Sequence, residues 1–153
     1  VEHSVNLARM AKEMSRFTGA DEDLVVAGSL LHDIGKVEEI EVKGGFSFSD
    51  KGRLLGHITI GVIICENLIA SIEGFPTHLG DTLKHIILSH HGETEWGSPK
   101  KPMCVEALVV HYLDNLDAKV AGVREFMQEN MEDEVWTQYH KLYESRYYKV
   151  PRG

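Results

Sequence analysis

His3, His32, Asp33, His57, His90, His91 and Asp114 are all of types that bind divalent metals, and all but His91 fall where apolar spacing turns them inward. The His32-Asp33 pair ends the most apolar stretch of the chain, where a buried carboxylate without a compensating charge would cost several kcal/mol. Lys36 could meet that need alone, as an ordinary ion pair. Taken singly, each of these residues reads as a hydrogen-bonded core residue. Together His3, His32-Asp33, His57, His90 and Asp114 make five inward-facing polar sites in one small core, and a bound metal cluster is the common explanation. His90 and His91 stand about 100° apart on a helix, so the pair can chelate only at a helix end, which Gly92 supplies. Asp117 lies one turn beyond Asp114 on a similar side. Asp114 is assigned as ligand and Asp117 as an orienting residue.

The elements that must carry these groups are helical. Over residues 3–17, His3, Leu7, Met10, Met14 and Phe17 share one face. Asp21 is the expected N-cap of a helix through Leu24, Ala27, Leu30 and Leu31, stopped near Gly35 and apolar almost all round, hence central. Residues 41–52, with Gly44-Gly45, Phe46 and Phe48, read as an exposed loop or short hairpin. A third helix is expected over 53–72 and a fourth over 78–91. A long one runs from Cys104 to Gln128, with Val109, Leu113, Leu116, Val120, Val123 and Met127 along one side. The end, from Ser145 to Pro151, reads as a surface tail. The expected class is all-α, a single domain over residues 1–153 with no internal repeat or linker.

The 153 residues and 42% hydrophobic content suffice for one core. A net charge of −8 repels nucleic acid overall, so a polyanionic substrate must be attracted locally. Cys65 and Cys104 are too few for a disulfide framework, which favours a reducing cytoplasm. No apolar run is expected to reach the roughly 18 residues of a membrane span, and no signal peptide is expected at the start. The start at Val1-Glu2-His3, without Met, reads as a piece of a longer protein.

In order, His3, His32-Asp33-Ile34-Gly35-Lys36, His57, His90-His91 and Asp114 resemble the motif of the HD superfamily of metal-dependent phosphohydrolases. Single-metal members need only the first His, the His-Asp pair and the last Asp. The additional His57 and His90-His91 resemble the two-metal members, including HD-GYP cyclic-dinucleotide phosphodiesterases. Leu54-Leu55-Gly56-His57-Ile58, Ser89-His90-His91-Gly92-Glu93 with Glu95-Trp96-Gly97-Ser98-Pro99, and His111-Tyr112-Leu113-Asp114-Asn115-Leu116-Asp117 are more similar still to YhaM-type 3′→5′ exoribonucleases. Members of that family usually carry an upstream oligonucleotide-binding OB domain, which is expected to be absent from this chain. The resemblance implies an HD helical bundle with His3, His32, Asp33 and Asp114 around one metal. Asp33, His57, His90 and His91 would surround the other, with Asp33 as the bridge.

A shell of five His and two Asp suits Mn or Fe, with Co and Ni as options, better than Mg. Lys36 is expected to contact a phosphate oxygen. Arg53 and Lys100, with Lys101, are candidates for an anionic path, and Trp96 for base stacking, although exposed basic residues and loop aromatics often have neither role. His111 is expected to be structural, and His78, His85 and His140 to serve surface or packing roles. The function expected is 3′→5′ hydrolysis of single-stranded RNA or short oligonucleotides. The alternative is hydrolysis of a cyclic dinucleotide or nucleotide, although the Gly-Tyr-Pro triplet that would favour it is absent. A non-catalytic, metal-stabilised module is a third reading, and homo-oligomer formation is left open.

Overall fold

The computed structural model describes residues 1–42, 44–129 and 135–151. Its helices are α1 (Glu2–Thr18), α2 (Glu22–Leu31), α3 (Lys36–Glu39), α4 (Asp50–Ala70), α5 (Thr77–Ser89) and α6 (Val105–Glu129). Between α3 and α4 lies one hairpin, β1 (Ile40–Val42) and β2 (Phe46–Phe48), antiparallel with Ile40 opposite Phe48 and Val42 opposite Phe46. A 3₁₀ turn, Thr94–Trp96, follows α5. The all-α class expected from the sequence therefore holds, with the small hairpin added. The chain groups into two compact units, Val1–Asn115 and Leu116–Gly153.

In the first unit, α1 packs along α2, α2 meets α5, and α3 and α5 both lie on α4. Leu7, Ala11, Val25, Ile86, Val110 and Leu113 form one apolar cluster, and Cys65, Leu83 and Ile87 anchor a second. Asp21 caps α2 as its sequence position requires, its side chain accepting the Leu24 N–H at 2.9 Å. Ser49 does the same for α4 through the Gly52 N–H at 2.8 Å.

Two close backbone arrangements set the geometry of the site. A β-carbon at Gly35 would fall 1.9 Å from the His57 carbonyl oxygen, so only glycine lets the turn after α2 lie directly on α4. Gly56 has φ 70° and ψ 155°, a conformation that only glycine adopts without strain, and it breaks α4 immediately before His57.

Some sequence expectations change. Phe17 is 83% exposed and Met14 also faces solvent, because the last turn of α1 extends past the core before Gly19 ends it. Helix α2 is not buried all round: Val25, Gly28 and Ser29 are enclosed, but Leu30 is exposed. On α6 the buried side runs through Val109 and Leu113, whereas Leu116 and Val120 are exposed.

The sequence leads one to expect no apolar run of membrane-spanning length, but among the described residues α4 is the one helix long and apolar enough to cross a membrane by length and composition. It tolerates Arg53, His57 and Glu66 within that length. After the Gly56 break, residues 57–70 rise only about 21 Å at roughly 1.5 Å per residue, short of a hydrocarbon core about 30 Å thick.

In the second unit, residues 135–149 fold back on themselves. Trp136 bridges Tyr148 and His140 bridges Ser145, so the expected tail is exposed but hydrogen-bonded. His140 stacks on Tyr143 with ring centroids 4.5 Å apart.

Because the Gly35 contact is backbone on backbone, Gly35→Ala cannot be relieved by a rotamer change. We expect a loss of about 1–3 kcal/mol in urea unfolding. An unchanged unfolding midpoint would show that the two segments do not touch.

Candidate metal centre

The six elements converge on one polar cluster. His3 comes from the first turn of α1, His32 caps the C-terminus of α2, Asp33 and Lys36 follow it, and His57 follows the break in α4. His90 and His91 follow α5, and Asp114 projects from α6. Two groups of potential ligand atoms, each mutually within 4.8 Å, result: His3, His32 and Asp114, and His57, His90 and His91.

Asp33 stands between them. Its Oδ2 lies 3.4 Å from His32 Nε2, and its Oδ1 lies 3.6 Å from His57 Nε2 and 3.8 Å from His90 Nε2. On the other side Asp114 Oδ1 is 2.9 Å from His3 Nε2 and 3.7 Å from His32 Nε2.

The backbone decides how the rings face. The Nδ1 of His32 is 2.8 Å from the Ser29 carbonyl, that of His90 is 2.7 Å from the Ile87 carbonyl, and that of His91 is 3.1 Å from the Trp96 carbonyl. A carbonyl can only accept, so in each ring Nδ1 carries the proton and donates it. In the neutral ring the Nε2 lone pair is then bare, and these lone pairs point into the cluster.

His32 Nε2, His57 Nε2, His90 Nε2 and Asp33 Oδ1 are buried with no hydrogen-bond partner among the described residues. Buried polar atoms are nearly always paired, and with the rings neutral four neighbouring acceptors facing one another are costly. A divalent cation is the partner that accepts several lone pairs at once, so the donor set fits metal.

The electrostatics agree with that donor set. Burial opposes ionisation of Asp33, but the adjoining His32 and Lys36 outweigh it and hold the carboxyl well below the usual carboxylate range. Burial also opposes protonation of His32, yet Asp33 and Asp114 raise it above its ordinary value. His90 is driven down to about 3, first by burial, and His91 is lowered for the same first reason. His90 and His91 are therefore neutral near pH 7.

Lys36 Nζ lies 2.6 Å from Asp33 Oδ2 and is half-exposed, so it reaches both the cluster and solvent. Trp96 is exposed and supports His91 through its carbonyl. Arg53 and Lys100 are exposed, and no ion pair ties either to the cluster among the described residues. Lys101 pairs with Glu93 at 2.6 Å.

His111 is structural, as expected: its Nδ1–H donates to the His90 carbonyl at 2.7 Å. His85 accepts the Met103 N–H at 2.9 Å. Sequence reasoning missed Glu39, a buried carboxylate against His57. Nothing in the spacing of residues 39 and 57 announces that contact, which depends on the Gly56 break and the packing of α3 on α4.

This arrangement of an inward His-Asp pair and further His and Asp ligands on a helical frame belongs to a recognised class. The chain matches the HD domain family over residues 1–119 and is a member of it. It is 44% identical over 121 residues to the 3′-5′ exoribonuclease YhaM of Bacillus velezensis, covering 77% of this chain and 38% of that relative. The Bacillus subtilis protein of the same name is 43% identical over 119 residues, with the same coverage. That of a Geobacillus species is 36% identical over 154 residues, covering 96% of this chain and 45% of the relative. The chain thus spans less than half the length of these relatives. No solved structure matches it.

Metal uptake should release protons from His32, since ligation requires the neutral ring and the neighbouring Asp33 and Asp114 raise its pKa above the ordinary imidazole value. His90 and His91, already neutral, release none. Affinity should therefore rise with pH through the raised His32 value and fall below it. Calorimetric titration with Mn²⁺ in buffers of different ionisation enthalpy measures this. A buffer-independent heat, or an affinity flat between pH 6 and 8, would contradict the assignment.

Proposed function

We propose that this domain is the hydrolytic part of a 3′→5′ exoribonuclease that removes nucleoside 5′-monophosphates from single-stranded RNA or short oligonucleotides. The observation that carries the reading is Asp33, one oxygen turned to each of two groups of metal-type ligands. The naming of three relatives as exoribonucleases supports the substrate class.

In this reading His3, His32, Asp33 and Asp114 hold one divalent ion and Asp33, His57, His90 and His91 the other, with Mn or Fe preferred for a mixed nitrogen and oxygen shell. When bound, the pair supplies Lewis acidity at the phosphoryl group and makes water a usable nucleophile at neutral pH. Water adds to phosphorus, the bond from phosphorus to the 3′ oxygen of the preceding nucleotide breaks, and that oxygen leaves with a proton. Asp33 keeps both sites in register. Lys36, held by Asp33 but open to solvent, binds a nonbridging phosphate oxygen and offsets the charge that develops there. Arg53, Lys100 and Trp96, all exposed, are assigned to weak binding of the strand, the cations to its phosphates and the indole to a base. Free Cys65 and Cys104 suit a reducing cytoplasm.

With a net charge of −8, the domain is expected to degrade long RNA slowly and distributively. On a short 5′-labelled oligoribonucleotide with Mn²⁺, a ladder shortening from the 3′ end is the expected product pattern. Inert oligomers together with efficient opening of a cyclic dinucleotide would overturn the substrate assignment. Asp33→Ala should abolish turnover and strip most metal. Lys36→Ala should lower turnover about ten- to a thousandfold with metal retained. Full activity in Asp33→Ala would refute the site, and unchanged turnover in Lys36→Ala would reduce the lysine to a structural ion pair.

A further inference from the structure

Three histidines of the cluster are oriented by neutral backbone carbonyls; His57 is not. Its Nδ1 lies 3.3 Å from Glu39 Oε1, and the same oxygen accepts the His57 backbone N–H at 2.9 Å. Glu39 is buried, and no Lys or Arg pairs with its carboxylate among the described residues.

The backbone contact exists because Gly56 breaks the helix. In an unbroken α4 the His57 N–H would bond four residues back, whereas after the break it starts a new helical segment and needs an acceptor. Glu39 supplies that acceptor from outside the helix. A capping role would account for the backbone bond but leave the ring free to turn. The ring contact requires more. With the carboxylate ionised, only an Nδ1–H can face Oε1, since a bare Nδ1 would set two lone pairs against each other. Nε2 is then left bare, and it is the atom found 3.6 Å from Asp33 Oδ1 with no hydrogen-bond partner.

We infer that Glu39 is a positioning residue: it fixes the tautomer and direction of His57, and its full charge makes His57 a stronger donor than the carbonyl-held His90 and His91. The consequence for metal rests on the reading of the cluster proposed above; the consequence for the tautomer does not.

Two measurements separate them. In metal-free protein carrying ¹⁵N-labelled histidine, at a pH where His57 is neutral, NMR should find its proton on Nδ1. Glu39→Ala should release the ring into a mixture of tautomers. Glu39→Gln keeps a carbonyl oxygen that accepts both N–H groups and should largely retain the native tautomer without the charge. Loss of a cap alone would lower the melting temperature of Glu39→Ala without moving the tautomer, and that result would overturn the inference.

In Mn²⁺ titrations, Glu39→Ala should weaken binding at the His57, His90 and His91 group about 10- to 100-fold. Glu39→Gln should weaken it less, and the His3, His32 and Asp114 group should be unchanged. Equal affinity in all three proteins would overturn the ligand-strengthening role. A wild-type protein with Nδ1–H on His57 but no metal at that group would support the positioning role and count against the metal reading. Should Glu39→Ala fail to fold, an Nε2–H ring in the wild type would refute the proposal by itself.

Discussion

With its imidazoles neutral, as metal ligation requires, the cluster sets bare ring nitrogens against Asp33 on both sides, with His32 Nε2 at one oxygen and His57 and His90 Nε2 at the other. That cluster of acceptors is unfavourable without a cation, because lone pairs removed from water have neither donors nor solvent to meet them. Much of the first unit keeps them together. Carbonyls of Ser29, Ile87 and Trp96 take the outer ring protons, so each neutral imidazole presents its unprotonated edge inward. Lys36 limits the cost of the carboxylate from the solvent side.

Apart from Asp114, which projects from within α6, the scaffold places these groups by bringing helix ends to one point. His32 follows the last turn of α2, His90 and His91 follow α5, and His57 follows an internal break that acts as another helix start. At a helix C-terminus the last carbonyls lack intrahelical donors. The Ser29 and Ile87 carbonyls, three residues before His32 and His90, are thereby available to the rings. Gly35 and Gly56 let α4 come close enough for His57 to join. Backbone chemistry at helix ends thus becomes the chemistry of the ligands.

How much of this was legible depended on whether the signal was periodic. The helices carrying His3, His57, His90 and Asp114 were readable because apolar spacing survives in the sequence, and His32-Asp33 stood out as polar residues after an apolar stretch. The exposure of Phe17, Leu116 and Val120 was not, since periodicity tells which residues share a face but not where the covering element stops. The merging of two helical segments across Gly56 was equally hidden. Glu39 was invisible for a third reason: its role arises from a contact between residues 18 positions apart, created by that break.

Anomalous scattering from crystals of the Mn²⁺-loaded domain would examine the cluster most directly. Two peaks are predicted, one beside His3, His32 and Asp114, the other beside His57, His90 and His91, with Asp33 in contact with both. A single peak would reduce the centre to a one-metal site, and the absence of density at Asp33 in metal-replete crystals would contradict the account.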